Sequence, residues 1–335
     1  MLKKLLAATG LATVIGAGAA IGAGPAHACD SYEEVTSAWL PIMQTTAYYV
    51  AHEEGLFEKA CIKVNSNKMQ SPNHIIDALV SGRADFGPPG AAAGIAMLAE
   101  EKFPGTFKVF GLQGGGIGVN LINDGLIVKS GSDIKSFADL KGHTIGHVPG
   151  IQWRTITRHL VRAAGLDPDK DVKLVDLAVP QQVPAVLGGS VDATLSLEPV
   201  GSIAAATDGV DRAVINPVAQ VIADPFYSGA AVLTMKFIKE RPEVAWKIVQ
   251  IIDEATALAM ADFDKYKAII PNYTAIRESQ LDLLAKPYLR SFTELNETDL
   301  NSYQAFVDVF FSEGVMKKKM DVREKILQTS DFGSS

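Results

Sequence analysis

Ala78-Leu79-Val80-Ser81-Gly82-Arg83-Ala84-Asp85 returns further along the chain as Ala185-Val186-Leu187-Gly188-Gly189-Ser190-Val191-Asp192. Upstream of the first copy, a helical run ends at Glu54-Gly55-Leu56 and is followed by Ile62-Lys63-Val64. Upstream of the second, a run ends at Ala164-Gly165-Leu166 and is followed by Val172-Lys173-Leu174. Each copy reads as helix, glycine stop, strand, helix, glycine stop, strand. The glycines suit a left-handed helix C-cap, where a Cβ carries a steric cost. Strands alternating with helices give parallel sheets. Two such units in one chain leave a crevice between them, the usual place for a small ligand.

Working outward, strands are predicted at 33–37, 62–65, 84–87 and 107–112, separated by helices from Thr45 or Thr46 to Gly55, from Ser71-Pro72 to Gly82, and over 91–101. Ser71 is an N-cap and Pro72 a first-turn residue. Pro88-Pro89-Gly90 reads as a turn. A strand over 126–129 leads across to the second unit, with strands at 143–148, 172–177, 192–197 and 213–215 and helices at 151–164, 180–187 and 200–207. A strand over 230–234 runs back. From Arg241 onward the apolar spacing is helical, in Val244–Leu258 and Leu300–Phe311, and these helices are expected to pad the first unit. The resulting division is a leader at 1–28, a first lobe at 29–125 and 230–335, and a second lobe at 126–229.

The bulk properties limit the function classes. The chain has 335 residues, 47% of them hydrophobic, enough for two cores. Its net charge is −7 and its basic residues are scattered, apart from Lys317-Lys318-Lys319, so no nucleic-acid partner is expected. Lys3 and Lys4 precede an apolar Ala- and Gly-rich stretch ending in Ala26-His27-Ala28, the pattern of a cleavable secretory signal peptide. Periplasmic export follows as an expectation. Cys29 and Cys61, the two cysteines of the chain, each precede a predicted strand of one sheet, and a disulfide between them is expected. Lipid attachment at Cys29 is the rival reading.

Candidate contacts lie where strands run into helices, because free backbone N–H groups and the helix dipole favour anions there. Four turns qualify: 40–46, 88–91, 149–155 and 198–201. They nominate Leu40, Gln44, Thr45, Pro89, Gly90, Ala91, Gly150, Gln152, Trp153, Arg154 and Glu198 as ligand contacts. Trp39 beside the first turn joins them, as does Gln113, which opens the cluster Gln113-Gly114-Gly115-Gly116-Ile117-Gly118. That cluster lacks a following helix and a Gly-Lys-Ser/Thr, so it reads as a closely approached loop rather than a phosphate loop. Arg154 allows two readings, a two-pronged clamp on a sulfonate, carboxylate or phosphate, or a solvated arginine. Trp39 and Trp153 allow an aromatic wall, whereas Trp246 sits in a core stripe. Glu198 either accepts a ligand ammonium group or caps the following helix. His143, His147 and His159 lack the company that a metal site needs, so no metal and no cofactor are expected. Gly-x-Ser-x-Gly and His-Glu-x-x-His are absent from the sequence, and catalysis is not expected.

Taken in order, Glu54-Gly55-Leu56-Phe57-Glu58-Lys59, Ala78 to Gly87, Asp139-Leu140-Lys141-Gly142, Val191-Asp192-Ala193 and Glu198-Pro199 resemble one family. It is the nitrate/sulfonate/taurine group of ABC-transporter solute-binding proteins, with relatives among the thiamine-pyrimidine synthesis proteins. The resemblance implies an α/β type II periplasmic-binding-protein fold, a small-molecule solute in the inter-lobe cleft, a membrane permease as partner, and a monomer. It implies ligand contacts on the same four turns. The family's second-lobe helix usually opens with a glycine-serine turn suited to an oxyanion; here it reads Pro149-Gly150-Ile151-Gln152-Trp153. The cysteine-rich motif of the fungal pyrimidine synthases is absent. A small organic anion or aromatic solute is the expected ligand, with a pyrimidine- or cofactor-precursor-binding protein or an enzyme relative as the alternative.

Overall fold

Two sheets carry the fold in this computed structural model, which describes residues 29–333. The leader at 1–28 lies outside the described residues. The first sheet is built from β1 (Glu33–Trp39), β2 (Ile62–Lys68), β3 (Phe86–Ala92), β4 (Phe107–Gly115), β10 (Phe226–Thr234) and β11 (Tyr288–Arg290), in the order β11-β4-β10-β3-β1-β2. The second is built from β5 (Asp124–Lys129), β6 (Thr144–His147), β7 (Lys173–Asp176), β8 (Ala193–Leu197) and β9 (Val210–Ile215), in the order β7-β6-β8-β5-β9. In each, three parallel strands (β2-β1-β3 and β7-β6-β8) adjoin an antiparallel strand donated late or early by the other crossing of the chain, β10 in one and β5 in the other. From Tyr32 on, both sheets belong to one compact unit.

The repeat in the sequence is a repeat in the structure, down to single bonds. Gly55, Gly82, Gly165 and Gly189 all adopt positive φ, from +63° to +83°, at the ends of their helices. Asp85 Oδ2 accepts a 2.7 Å hydrogen bond from Thr36 N in the neighbouring strand, and Asp192 Oδ2 accepts a 2.7 Å bond from Thr144 N at the corresponding register position of the second sheet. The backbone of each aspartate donates back, Asp85 N to Thr36 O and Asp192 N to Thr144 O. The recurring aspartate at the end of each motif thus has a mechanical role: it staples the third strand of the unit to the first.

Three features depart from the sequence reading. Pro88-Pro89-Gly90 is part of β3 instead of a turn, and the next helix starts at Ala93 rather than Ala91. The β3–β10 ladder is irregular there, between Ala230 and Val232, and two prolines without N–H groups fit such a gap. β4 runs on through the glycine cluster to Gly115. A Cβ at Gly114 would lie 1.8 Å from Phe226 O and one at Gly116 2.1 Å from Asp224 Oδ1, so the glycines allow the chain to pass close under β10. The C-terminal region, besides its long helices Pro242–Ala261 and Glu297–Ser312, adds the short strand β11 to the sheet.

One apolar core runs continuously from the first half into the second: Ile75, Met97, Phe306 and Phe310 share it with Trp153, Ile156 and Leu160 of the helix Ile151–Ala163. A second core, including Val50, Phe57, Ile248 and Ile252, backs the first sheet with the helix Pro242–Ala261. Cys29 and Cys61 are both disulfide-bonded, as expected. Among the described residues no helix is long and apolar enough to cross a membrane.

Candidate functional site

A cavity of about 670 Å³ opens where β1, β2, β6, β7 and β8 end. These are parallel strands, and all of them present their carboxyl ends to it, which is where open α/β sheets bind ligands. Leu40, Pro41, Ile42 and Gln44 come from the turn after β1; Lys68 to Gln70 and Pro72 from the end of β2; Gly90 and Ala92 from β3; Ser228 and Gly229 from β10. The second half contributes Val148, Pro149, Gln152 and Trp153 after β6, Ala178 to Pro180 after β7, and Leu197, Pro199, Val200 and Ile203 after β8. Thr274 to Arg277 and Gln280, from the C-terminal region, close one side. The walls are largely aliphatic and proline-rich. Lys68 and Arg277 are the charged residues of the lining, which contains no aspartate or glutamate.

Of the residues nominated from sequence, Leu40, Gln44, Gly90, Gln152 and Trp153 line this cavity. Trp153 is 1% exposed. Five others stand just behind the lining and shape it. Thr45 Oγ1 donates to Leu40 O at 2.8 Å, and Gln113 Oε1 accepts from Gly90 N at 2.9 Å. Gly90 has φ +99°, and a Cβ there would meet Thr45 Oγ1 at 2.6 Å, so the strand comes too near the turn for any side chain. Pro89 and Ala91 flank it, buried in β3. Gly150, with φ +108°, approaches Asn73 of the first half so closely that a Cβ would lie 2.8 Å from Asn73 Oδ1.

Three nominated residues sit elsewhere. Trp39 is turned away from the cavity into an aromatic cluster with Tyr48, Tyr49 and Tyr273, and its Nε1 donates to Ser66 Oγ at 2.7 Å. It still touches the site indirectly, because Lys68 Nζ lies 5.8 Å from its ring centre. Arg154 is exposed and outside the lining. The helix Ile151–Ala163 buries Gln152, Trp153, Ile156 and Leu160, and Arg154 falls on its outer side with Arg158 and Arg162 at i+4 and i+8. Arg158 pairs there with Asp169 at 2.6 Å and Arg162 with Glu313 at 3.4 Å. Glu198, 2% exposed, is engaged by the Arg212 guanidinium at 2.9 Å, and its Oε2 accepts from Ser202 N at 3.1 Å in the helix that follows. Burial pushes its pKa up against the pull of Arg212. Of the two readings of Glu198, the geometry matches the helix cap.

The two glutamines differ in how they are held. Gln152 reaches from the second half into the first: its Oε1 accepts from Gly94 N at 2.9 Å and its Nε2 donates to Ser228 O at 2.8 Å. Gln44 Nε2 donates to Asn123 Oδ1 at 2.8 Å, and Asn123 Nδ2 donates to Asp124 Oδ2 at 2.8 Å. Asp124 also accepts from Val218 N, and burial raises its pKa to about 6. Gln44 Oε1 is buried and has no donor.

The histidines have other occupations. His147 Nδ1 lies 2.9 Å from Val148 O, His143 lies 3.3 Å from Asp192, and His159 lies 3.2 Å from Glu313. Among the described residues, no three His, Cys, Asp or Glu side chains are grouped to hold a metal ion.

Sequence reasoning missed the end of β2, Ala178 to Pro180, and the 274–280 segment. Lys68 ends an edge strand and Met69 follows it, outside the four turns nominated from sequence, and the 274–280 segment belongs to a region read only as padding helices.

The family model described as NMT1/THI5 like matches residues 42–265. The chain belongs to the NMT1/THI5-like family. A putative binding protein of Brucella abortus is 23% identical over 290 residues, spanning 84% of this chain and 86% of that one. The periplasmic aliphatic sulphonate binding protein SsuA of Escherichia coli superposes with a TM-score of 0.70 at 19% identity, over 89% of this chain and 93% of its own. The desulfurization enzyme DSZB superposes with a TM-score of 0.65 at 15% identity, over 88% of this chain and 96% of its own. The fold is therefore that of the periplasmic binding proteins, mixed α/β with two sheets. That likeness is shared by a binder and an enzyme, so function has to be argued from the cleft.

Proposed function

We propose that this NMT1/THI5-like chain is the extracytoplasmic solute-binding component of an ABC importer, without catalytic activity of its own. It takes a small organic anion with an apolar or aromatic body. The observation that carries this reading is the cavity lining: largely aliphatic, proline-rich walls with one tryptophan, Lys68 and Arg277 as its cations, and no acid. Such walls favour a hydrocarbon body, and the uncompensated cations favour a sulfonate or carboxylate over an ammonium. Trp153 supplies an aromatic face at the cavity wall. The Ala26-His27-Ala28 leader and the disulfide support export to the periplasm, where a membrane permease would receive the loaded protein.

A thermal-shift screen over sulfonates, carboxylates, pyrimidines, flavins and polyamines tests it. A ligand at 100-fold its Kd stabilises the folded chain by about 2.7 kcal/mol. The expected hits are alkyl or aryl sulfonates and carboxylates, with a change in Trp153 fluorescence on binding. Lys68→Ala and Arg277→Ala are each expected to weaken a hit about 3- to 10-fold, because both cations are solvent-exposed. Stabilisation by polyamines alone, or turnover of a hit by the isolated chain, would overturn the reading.

A further inference from the structure

Gln44 gives the cavity a polar preference of its own. Its side chain is 2% exposed and belongs to the wall, yet its Oε1 has no hydrogen-bond donor. Among the described residues it is the one lining side chain with a buried polar atom left unpaired. The obvious objection is that the amide could be turned over, placing its NH2 where the oxygen is drawn. The neighbouring bonds forbid this. Asp124, as a carboxylate, can only accept, and it accepts from Val218 N at 3.2 Å and from Asn123 Nδ2 at 2.8 Å. That fixes the nitrogen of Asn123 toward Asp124 and its oxygen toward Gln44. Asn123 Oδ1 has the Ser228 hydroxyl at 3.5 Å and the Gln44 amide much nearer, at 2.8 Å, where only the NH2 of that amide makes a bond. A turned Gln44 would set two oxygens against each other. The unpaired atom is therefore an acceptor, and its polarity is set from Asp124 outward through two amides.

We propose that the natural ligand carries an N–H or O–H group that donates to Gln44 Oε1 when the ligand occupies the cavity. This rests on the reading of the cavity as the solute site and narrows it. The ligand class becomes an organic anion with a second, donating group on its apolar body, such as an amino- or hydroxy-substituted sulfonate or carboxylate. A site holding a buried acceptor rejects an analogue without the donor, because desolvation of the acceptor then goes uncompensated.

The test is calorimetry on matched ring compounds: the ortho, meta and para isomers of aminobenzenesulfonate against the corresponding methylbenzenesulfonates, which have similar size and no donor. At least one amino isomer is expected to bind about 10-fold more tightly than its methyl partner. In Gln44→Met the gap between the amino and methyl compounds is expected to close to within about 2-fold. Methyl and amino compounds binding the unaltered protein equally in all three positions would overturn the donor proposal while leaving the solute site intact, and that comparison needs no variant to fold. A preference that survives in Gln44→Met would overturn it as well. Failure of all six compounds to bind would count against the organic-anion reading itself, and the donor proposal would fall with it.

Discussion

Gln44 and Gln152 open corresponding helices in the two halves of the molecule, each just after the first parallel strand of its sheet. Gln152 is bonded at both ends, to Gly94 N and to Ser228 O, and both partners belong to the other half. Gln44 is bonded at one end only. The scaffold around them is near-identical: a strand, a turn, a helix ended by a positive-φ glycine, and an aspartate stapling the third strand to the first. The frame is repeated while the residues beside the cleft differ. One glutamine ties the halves together, and the other holds a buried acceptor with no donor.

The largest expected effect follows from that difference. Gln152→Ala strands a buried amide and a buried carbonyl and should cost about 2–4 kcal/mol of stability. Gln44→Ala breaks one bond, in which Asn123 Oδ1 retains the Ser228 hydroxyl at 3.5 Å, and should cost about 1 kcal/mol. Urea titration of the two variants checks the order. Equal losses would mean that the inter-half tie contributes no more than the local bond.

The two aspartates give a smaller contrast. Asp85 and Asp192 accept the same bond from the same strand position, but Asp85 is half-buried and Asp192 exposed. Water can replace the lost acceptor at the exposed site and less well at the other. Asp85→Ala should therefore cost about 1–2 kcal/mol and Asp192→Ala about 0.5 kcal/mol. Differential scanning calorimetry on the two variants reads the gap, and a larger loss at Asp192 would break the correspondence drawn between the two staples.

How much of this was legible in the sequence divides along the same line. The frame was: glycine stops and the recurring Gly-x-x-Asp ending have local causes, positive φ and a backbone bond, that a linear sequence displays directly. The cleft was legible only in part. Gln44, Gln152 and Trp153 were found because the turns after strands point to it. Residue type leaves Arg154 open between an anion clamp and a solvated arginine, and the helical spacing of Arg154, Arg158 and Arg162 puts it on the outer side. Pro88-Pro89 looked like a turn because the irregularity that admits them lies in β10, far along the chain. Lys68 and Arg277 meet at the cavity through tertiary folding, and nothing near either in the sequence announces it.

The smallest expected effect tests the frame itself. Gly82 and Gly189 have φ of +70° and +71°, and at neither would an added Cβ meet any atom within 4 Å. Substitution by alanine then carries no packing cost, only the cost of holding an L-residue in the left-handed region, less the benefit of a stiffer unfolded chain. Each variant, Gly82→Ala and Gly189→Ala, should lose about 1 kcal/mol, and the two losses should agree within about 0.5 kcal/mol. The double variant should lose the sum, because the two glycines end helices in different halves and share no partner. Chemical denaturation of the three variants decides it. Unequal losses would mean that one of the two stops bears strain its partner does not, and the equivalence of the halves would then hold for the path of the backbone without extending to its energetics.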